Sequence, residues 1–402
     1  VKAGWQQTTL GSIAQVGAGN SAPQGDAVFA NGTHPFFRTS DAGRIRFGDI
    51  DESTDYLNDE GAKGLRRFPA GTILFPKSGA STFLNHRVML GVDGYVSSHL
   101  ATIVGDESKV DRRYLLYFLS TVSAQDLVQD HAYPSLNLPL IAGIPVALPP
   151  LPEQHRIVAI LDKAFDGIAT AKANAEQNLQ NARALFESHL QKVFTERGEG
   201  WMEKPLSEIC DIKHGYAFEG EYFSSSGEYV LLTPGNFYET GGYRDRGEKQ
   251  KYYVGEIPRD YVLRKGDLLV AMTEQAAGLL GSPILVPESN RFLHNQRLGL
   301  VTRKPGAVWM NEFFFHVFNI PHVRQAIHSN ASGVKVRHTS PAKIGQVVVA
   351  FPSSVPEQER IVVRLAALAE ETQYLESLYR QKLTALGDLK RSLLHQAFSG
   401  QL

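Results

Sequence analysis

The chain has 402 residues, enough for two to four packed units, and its 43% hydrophobic and 21% charged content is ordinary for a globular protein. No run of eighteen apolar residues predicts a membrane span, and the single cysteine, Cys210, excludes an intrachain disulfide and a cysteine-rich zinc site. Lys and Arg total 41 against 42 acidic residues, a net charge of −1, which excludes a uniformly basic chain. The opening Val1-Lys2-Ala3-Gly4-Trp5 lacks the apolar stretch of a secretory signal, and these features together predict a cytoplasmic protein.

In chain order, residues 1–150 read as short β segments with turn signals, such as Gly71–Phe75 before Pro76-Lys77-Ser78-Gly79. One helix-like stretch, Tyr114–Val128, interrupts them. Over 153–197 the pattern changes to an apolar stripe without internal proline: Ile157, Leu161, Ala164, Ile168, Ala171, Ala175, Ala182 and Val193, all but Val193 on strict 4–3 heptad spacing. Residues 198–352 return to β segments, such as Tyr261–Leu263 before Arg264-Lys265-Gly266-Asp267, with a helix-like stretch at Glu312–Ile327. A second stripe follows over 357–398, carried by Ile361, Leu365, Leu368, Thr372, Leu375, Tyr379, Leu386, Leu389 and Leu393.

The two halves repeat one another. Pro152-Glu153-Gln154-His155-Arg156-Ile157-Val158 recurs as Pro356-Glu357-Gln358-Glu359-Arg360-Ile361-Val362, six of seven residues identical at a separation of 204. Upstream, Ile144–Pro149 answers Val347–Pro352 after a one-residue slip. Trp5, Leu10, Ile13 and Gly19 align with Trp201, Leu206, Ile209 and Gly215, all 196 apart. Each stripe opens on a Pro suited to a first helical turn and a Glu favourable to the helix dipole, and both share one heptad register. Two stripes in equal phase can seal each other as an antiparallel pair, about 60 Å long for about 40 residues. The alternative for each is an amphipathic helix lying on its own globular domain.

The predicted fold is therefore α+β: two β-rich globular domains, 1–150 and 198–352, separated by a long antiparallel two-helix coiled coil. Its spacer helices occupy 151–197 and 353–402, giving a pseudo-two-fold internal repeat. Seam positions are Ile157, Leu161, Ile168, Val193, Ile361, Leu365, Leu368, Leu375, Leu386 and Leu393.

Two β-rich domains, each followed by a helix opened by Leu-Pro-Pro-Leu-Pro-Glu-Gln or a variant, resemble the specificity subunit of type I restriction–modification systems. The closing Ser392–Gly400 segment resembles that family's C-terminal tail. The resemblance covers essentially the whole chain. It implies two target-recognition domains, each reading one half of a split, asymmetric site in double-stranded DNA. It implies that the paired helices dock two modification (methyltransferase) subunits, with motor-nuclease restriction subunits joining them. No cofactor is expected here; S-adenosylmethionine and ATP would belong to the partners.

Base and phosphate contact calls for Arg, Lys, Asn, Gln and hydroxyl side chains on loops. In the first domain the candidates are Arg38, Thr39, Ser40, Arg44, Arg46, Lys77, Ser78, His86 and Arg87. In the second they are Lys213, His214, Tyr216, Arg244, Arg246, Asn295, Gln296 and Arg297, with Lys335, Arg337 and His338 in the Ala331–Ser340 loop. The clusters, Asn85-His86-Arg87 and Asn295-Gln296-Arg297 among them, are read as lying on corresponding loops of the two copies. A solvated surface charge is the plain alternative for each. With near-neutral balance in both halves, 12 basic to 14 acidic over 1–150 and 17 to 16 over 198–356, the grip must come from local clustering or from partners.

Motifs for chemistry are absent. No Asn/Asp-Pro-Pro-Tyr/Phe clamp, P-loop or His-Glu-x-x-His occurs, and Gly17-Ala18-Gly19-Asn20 is read as a turn. His86, His99, His294 and His338 show no metal-ligand spacing, so neither a catalytic nor a metal site is expected. Two other functions stay open: a non-enzymatic protein-interaction scaffold with a dimerising coiled coil, which suits the neutral charge, and an enzyme with an unrecognised site.

Overall fold

The computed structural model describes every residue except 1, 3, 129–133, 275–277 and 334. Val1 and Ala3 of the opening segment and Val334 of the 331–340 loop thus lie outside the described residues. Contacts group the chain into two compact units, residues 1–176 with 381–402, and residues 177–380. Both long helices, Leu151–Thr195 and Val355–Ser399, are divided between the units, whereas the sequence-based division assigned each helix whole.

The first unit is built on a five-stranded sheet, ordered Ala14–Ala18, Leu100–Gly105, Ile73–Pro76, Arg87–Leu90, Phe47–Ile50. Neighbours are antiparallel except the last pair, where Phe47 sits beside Arg87 in parallel. A three-stranded sheet of Asp55–Leu57, His34–Phe37 and Tyr95–Val96 adjoins, and Gln6–Thr9 pairs with Pro145–Leu148 just before the long helix. Helix Arg112–Thr121 starts where the Asp111 carboxylate caps the N–H groups of Arg113 and Tyr114. It buries Tyr114, Leu115 and Phe118 against Ile73, Phe75 and Ile103.

The second unit repeats this plan with a four-stranded sheet, Cys210–His214, Leu298–Arg303, Leu268–Ala271, Pro283–Leu285, all antiparallel. Trp201–Pro205 pairs with Val348–Pro352 as Gln6–Thr9 does with Pro145–Leu148. The helix-like stretch 312–327 is two helices, Asn311–Asn319 and Pro321–Ser329. Pro321 has no N–H for the helical ladder and forces Ile320 into an extended backbone, so the chain turns there. Likewise Tyr261–Leu263 is not a strand: Arg259–Tyr261 forms a 3₁₀ turn, and the strand begins at Leu268.

The recurrent Pro-Glu-Gln has a structural reason. Gln154 is fully buried; it accepts from the Asp111 N–H at 2.8 Å and donates to the carbonyls of Lys109 and Pro149 at 2.9 and 2.8 Å. It ties the start of the helix to the domain that precedes it. Gln358, also fully buried, donates to the carbonyl of Val308 at 3.3 Å.

The long helices pair antiparallel within each unit. In the first, Arg156 donates to the Leu402 carbonyl at 2.8 Å, and Lys390 lies 4.9 Å over the Phe165 ring. In the second, Arg183 meets Glu376 at 3.2 Å, while Leu190 and Phe194 share a core with Ile361 and Leu365. The seam is not uniform. Ile157, Leu161 and Leu365 are fully buried or nearly so, but within the cores of the globular domains they follow. In between, burial falls on small residues, Ala175, Ala182 and Thr372. Ile168, Leu368, Leu375 and Leu386 are half-buried, and Leu389, placed on the stripe by its spacing, is 48% exposed.

The far end of each helix carries an aromatic anchor outside the heptad positions. Phe194 packs edge-on to Trp201 at 5.7 Å and against Phe313 at 5.5 Å. Phe398, its repeat equivalent 204 residues on, packs on Tyr114 at 5.2 Å and Phe118 at 5.6 Å. Val193 and Leu393 are only partly buried beside these rings. Each helix therefore docks its start on the domain before it and its end on the domain of the other copy. Among the described residues, no helix is long and apolar enough to cross a membrane.

Candidate nucleic-acid interface

Strand register gathers residues from distant points of the sequence at one end of each main sheet. In the first unit this end carries Asn20 after Ala14–Ala18, His99 before Leu100–Gly105, Lys77 after Ile73–Pro76, His86 before Arg87–Leu90, and Arg46 before Phe47–Ile50. Lys77, His86 and Arg46, far apart in sequence, do come together. The Lys77 N–H donates to the His99 carbonyl at 3.0 Å, and the Leu136 N–H to the Lys77 carbonyl at 2.7 Å. Ser78 Oγ lies 2.7 Å from His99 Nδ1. Burial first, then Arg46 and Arg87, lower the pKa of His86 and favour its neutral form.

The second unit repeats the frame with other side chains. His214 and Tyr216 follow Cys210–His214, Arg297 precedes Leu298–Arg303, and Met272 and Thr273 follow Leu268–Ala271. The Met272 N–H donates to the Arg297 carbonyl at 2.9 Å, and the Thr339 N–H to the Met272 carbonyl at 2.9 Å. Thr273 Oγ1 lies 3.2 Å from His338 Nδ1. Lys213 reaches 4.2 Å over the Tyr261 ring, and Tyr216, Phe218 and Tyr261 pack together beside it. The segments 213–216, 295–297 and 335–339 thus converge, with Lys213, His214, Gln296, Arg297, Lys335 and His338 exposed.

A glycine makes each crossing possible. A Cβ on Gly19 would lie 2.3 Å from the Ser97 carbonyl oxygen, and one on Gly215 only 2.1 Å from that of Asn295. Gly215→Ala should therefore cost about 1–3 kcal/mol, by analogy with overpacked sites. Thermal melting checks this; an unchanged Tm would show that the crossing can open without loss.

Several candidates have other work. Arg87 cannot contact DNA in this structure: it is fully buried, 3.5 Å over the Phe75 ring, and donates to the carbonyls of His86, Leu119 and Val122. Burial pushes its pKa down to about 9. Arg38 pairs with Asp55 and packs on Phe29 and Phe36 at the start of helix Thr39–Ile45, which holds Thr39, Ser40 and Arg44. Arg44 donates to the Glu52 carbonyl at 2.8 Å. Asn295 is 5% exposed and its side-chain oxygen accepts from the Arg297 N–H at 3.1 Å, which shapes the turn. Arg244, 5.8 Å from the Tyr238 ring, and Arg246, against Gly235, sit on a separate loop. Register matches 295–297 with 97–99, a segment of the first copy from which no candidate was drawn. His99 and Asn20 were missed as occupants of this sheet end, and the Asn20 amide is engaged there, donating to the Arg66 carbonyl and accepting from the Arg66 N–H at 2.8 Å. The glycine alignment carried the signal for Asn20, since it follows Gly19 as Tyr216 follows Gly215.

Residues 2–181 and 198–384 each match the family model of the type I restriction modification DNA specificity domain. The chain belongs to this family. Its two specificity-domain copies account for the repeated sheets and helices. The chain is 25% identical over 236 residues to the type I restriction enzyme EcoBI specificity subunit of Escherichia coli, a match covering 58% of this chain and 44% of that subunit. The chain thus spans less than half of that relative's length. A solved chain from a study of complex assembly and conformational transition of the type I R-M system superposes with a TM-score of 0.78 at 17% identity, covering 100% of this chain and 99% of that one. The HsdS subunit from Thermoanaerobacter tengcongensis gives 0.63 at 16% identity, covering 100% and 98%. These likenesses concern the fold. Among the described residues of the specificity-domain copies, no group of three or more His, Cys, Asp or Glu side chains could hold a metal ion.

Proposed function

We propose that the chain is the sequence-reading subunit of a type I restriction–modification complex, each specificity-domain copy contacting one half of an asymmetric DNA site. One observation carries this reading. The same backbone frame presents unlike side chains: Lys77, Ser78 and His99 in one copy, against Tyr216, Thr273 and Arg297 in the other. A shared frame with different donors, acceptors and rings is what two unlike half-sites require, because base edges are told apart by hydrogen-bond pattern and methyl contact.

The long helices would hold two modification subunits. Val363, Tyr374 and Leu378 on the second helix stay exposed at 63, 68 and 43%, and their spacings of 11 and 4 residues put them on one face. An exposed apolar row of this kind suits a partner better than solvent. Chemistry, with its S-adenosylmethionine and ATP, would belong to those modification subunits and to the motor-nuclease subunits. A cytoplasmic location follows from this role.

Exchange of residues 1–150 for the same region of a family member tests the reading. Methylation mapping with the assembled complex should show one half-site changed and the other intact. A change in both, or in neither, would contradict modular reading; sequence-independent capture of protein partners instead of duplex would favour the scaffold.

A further inference from the structure

Beside the reading edge of the second copy lies an open cavity of about 480 Å³, lined by Gly278, Arg324, Gln325, His328, Ser329 and Arg337. Its two guanidinium groups are held by a network that starts at a buried carboxylate. Glu274, 3% exposed, accepts three backbone N–H groups through Oε2, from Gly278, Leu279 and Leu280 at 3.0–3.1 Å. Its other oxygen lies 2.8 Å from His328 Nε2. The opposite ring nitrogen, Nδ1, faces Arg337, which also donates to the His328 carbonyl at 2.8 Å. Arginine only donates, so Nδ1 accepts from Arg337, while Nε2 sits within ion-pair distance of Glu274 Oε1 without a hydrogen bond between them. The chain of contacts from Glu274 through His328 fixes where Arg337 points.

Arg324 completes the cavity. It donates to the carbonyls of Gly278 and Glu239, yet its buried Nη1 has no hydrogen-bond partner among the described residues. Glu274 and Glu239 both act on it electrostatically, and while Glu274 Oε2 is taken by three amides, its buried Oε1 likewise has no hydrogen-bond partner among the described residues. Arg337 has no carboxylate partner among the described residues. A buried donor left unpaired, next to a second oriented guanidinium, favours an anion with several acceptor oxygens. The cavity adjoins the interface directly: strand Arg337–His338 pairs with Thr273–Glu274, one residue from Met272, which holds Arg297.

We infer that Arg324 and Arg337, oriented by Glu274 and His328, form a seat for one backbone phosphate of the DNA read by the second copy. This rests on the proposed DNA reading and adds the anchor that would set the register of bases against Arg297 and His338.

The test uses the full chain and a duplex it selects, with single neutral methylphosphonates scanned along each strand. One position in one half-site should weaken wild-type binding about tenfold, while the same duplex costs Arg337→Gln clearly less, since only Arg324 then remains at the seat. Arg337→Gln should lower affinity for selected and scrambled duplexes in the same proportion and reduce the salt slope by about one. Glu274→Gln, with a matched Tm, should give a smaller loss in the same direction. A flat methylphosphonate scan overturns the proposal and leaves DNA reading intact, and it requires no variant to fold. Altered preference at one base pair would make Arg337 a base reader and overturn it too. Inorganic phosphate that raises the wild-type Tm while the scan stays flat would assign the seat to a free anion. Absence of any duplex binding by the wild type overturns both the seat and the reading.

Discussion

Truncation of Phe194 to alanine is expected to destabilise the second unit by about 3–5 kcal/mol, the range for aromatic-to-alanine changes in a packed core. The ring is 3% exposed between Trp201 and Phe313, at a point where the first long helix leaves its own domain and docks on the other copy. Its loss opens a cavity with aromatic walls on two sides, which cannot close without moving the strand of Trp201 or the helix of Phe313. Hydrogen exchange should locate the damage: protection falls in Asn311–Asn319 and Trp201–Pro205 and holds in Arg112–Thr121, which Phe398 covers. Denaturant titration of the variant gives the magnitude. A loss below about 1 kcal/mol, far under the usual cost of such a truncation, would mean the helix end is not anchored by this ring.

Acid should unfold the second unit through two histidines, His294, which is fully buried, and His316, which is half-buried. Burial pushes the pKa of both His294 and His316 down to about 4. His294 is fully buried, its Nε2 donating to the Leu298 carbonyl at 2.9 Å and its Nδ1 unpartnered among the described residues. Between pH 6.5 and about 4 the unfolded chain takes up protons that these folded histidines do not, so stability falls as pH falls through that window. Above pH 6.5 their contribution is fully present; near pH 4 each has cost up to about 3 kcal/mol. Urea titrations from pH 7 to 4.5 should show the decline, and His294→Gln should flatten part of it. An identical pH profile in the variant would remove His294 from the explanation.

Much of the architecture was legible because a duplication writes each feature twice. The Pro-Glu-Gln pair marked both helix starts, and the structure supplies the cause in the buried amides of Gln154 and Gln358. The heptads predicted pairing but not its limits: Ile157 and Leu365 obey the spacing while packing into globular cores, and Leu389 obeys it while facing solvent. Spacing reports which residues share a helix face, not what covers that face. Phe194 and Phe398 escaped for the same reason, since the surface they meet is folded from residues of the other copy.

Individual candidate residues were harder. Arg87 and Lys77 are both cations beside apolar strands, and sequence cannot tell the one buried on Phe75 from the one at the sheet end. The strand Arg87–Leu90 is buried on both faces, so no alternation warned of it. Segments 213–216, 295–297 and 335–338 meet because the repeated glycine crossing and strand ends impose it. The network around Arg337 involves Glu274, His328 and Arg324, three residues without any shared motif, and only folding brings them together.

The most direct measurement is selection of random duplexes by the full chain, alone and with the modification subunits proposed for it, followed by sequencing. Enrichment of two different short motifs at one constant spacing is the predicted result. A single contiguous motif, two identical motifs, or no enrichment at all would contradict the claim that two unlike domains on one repeated frame read the two halves of a DNA site.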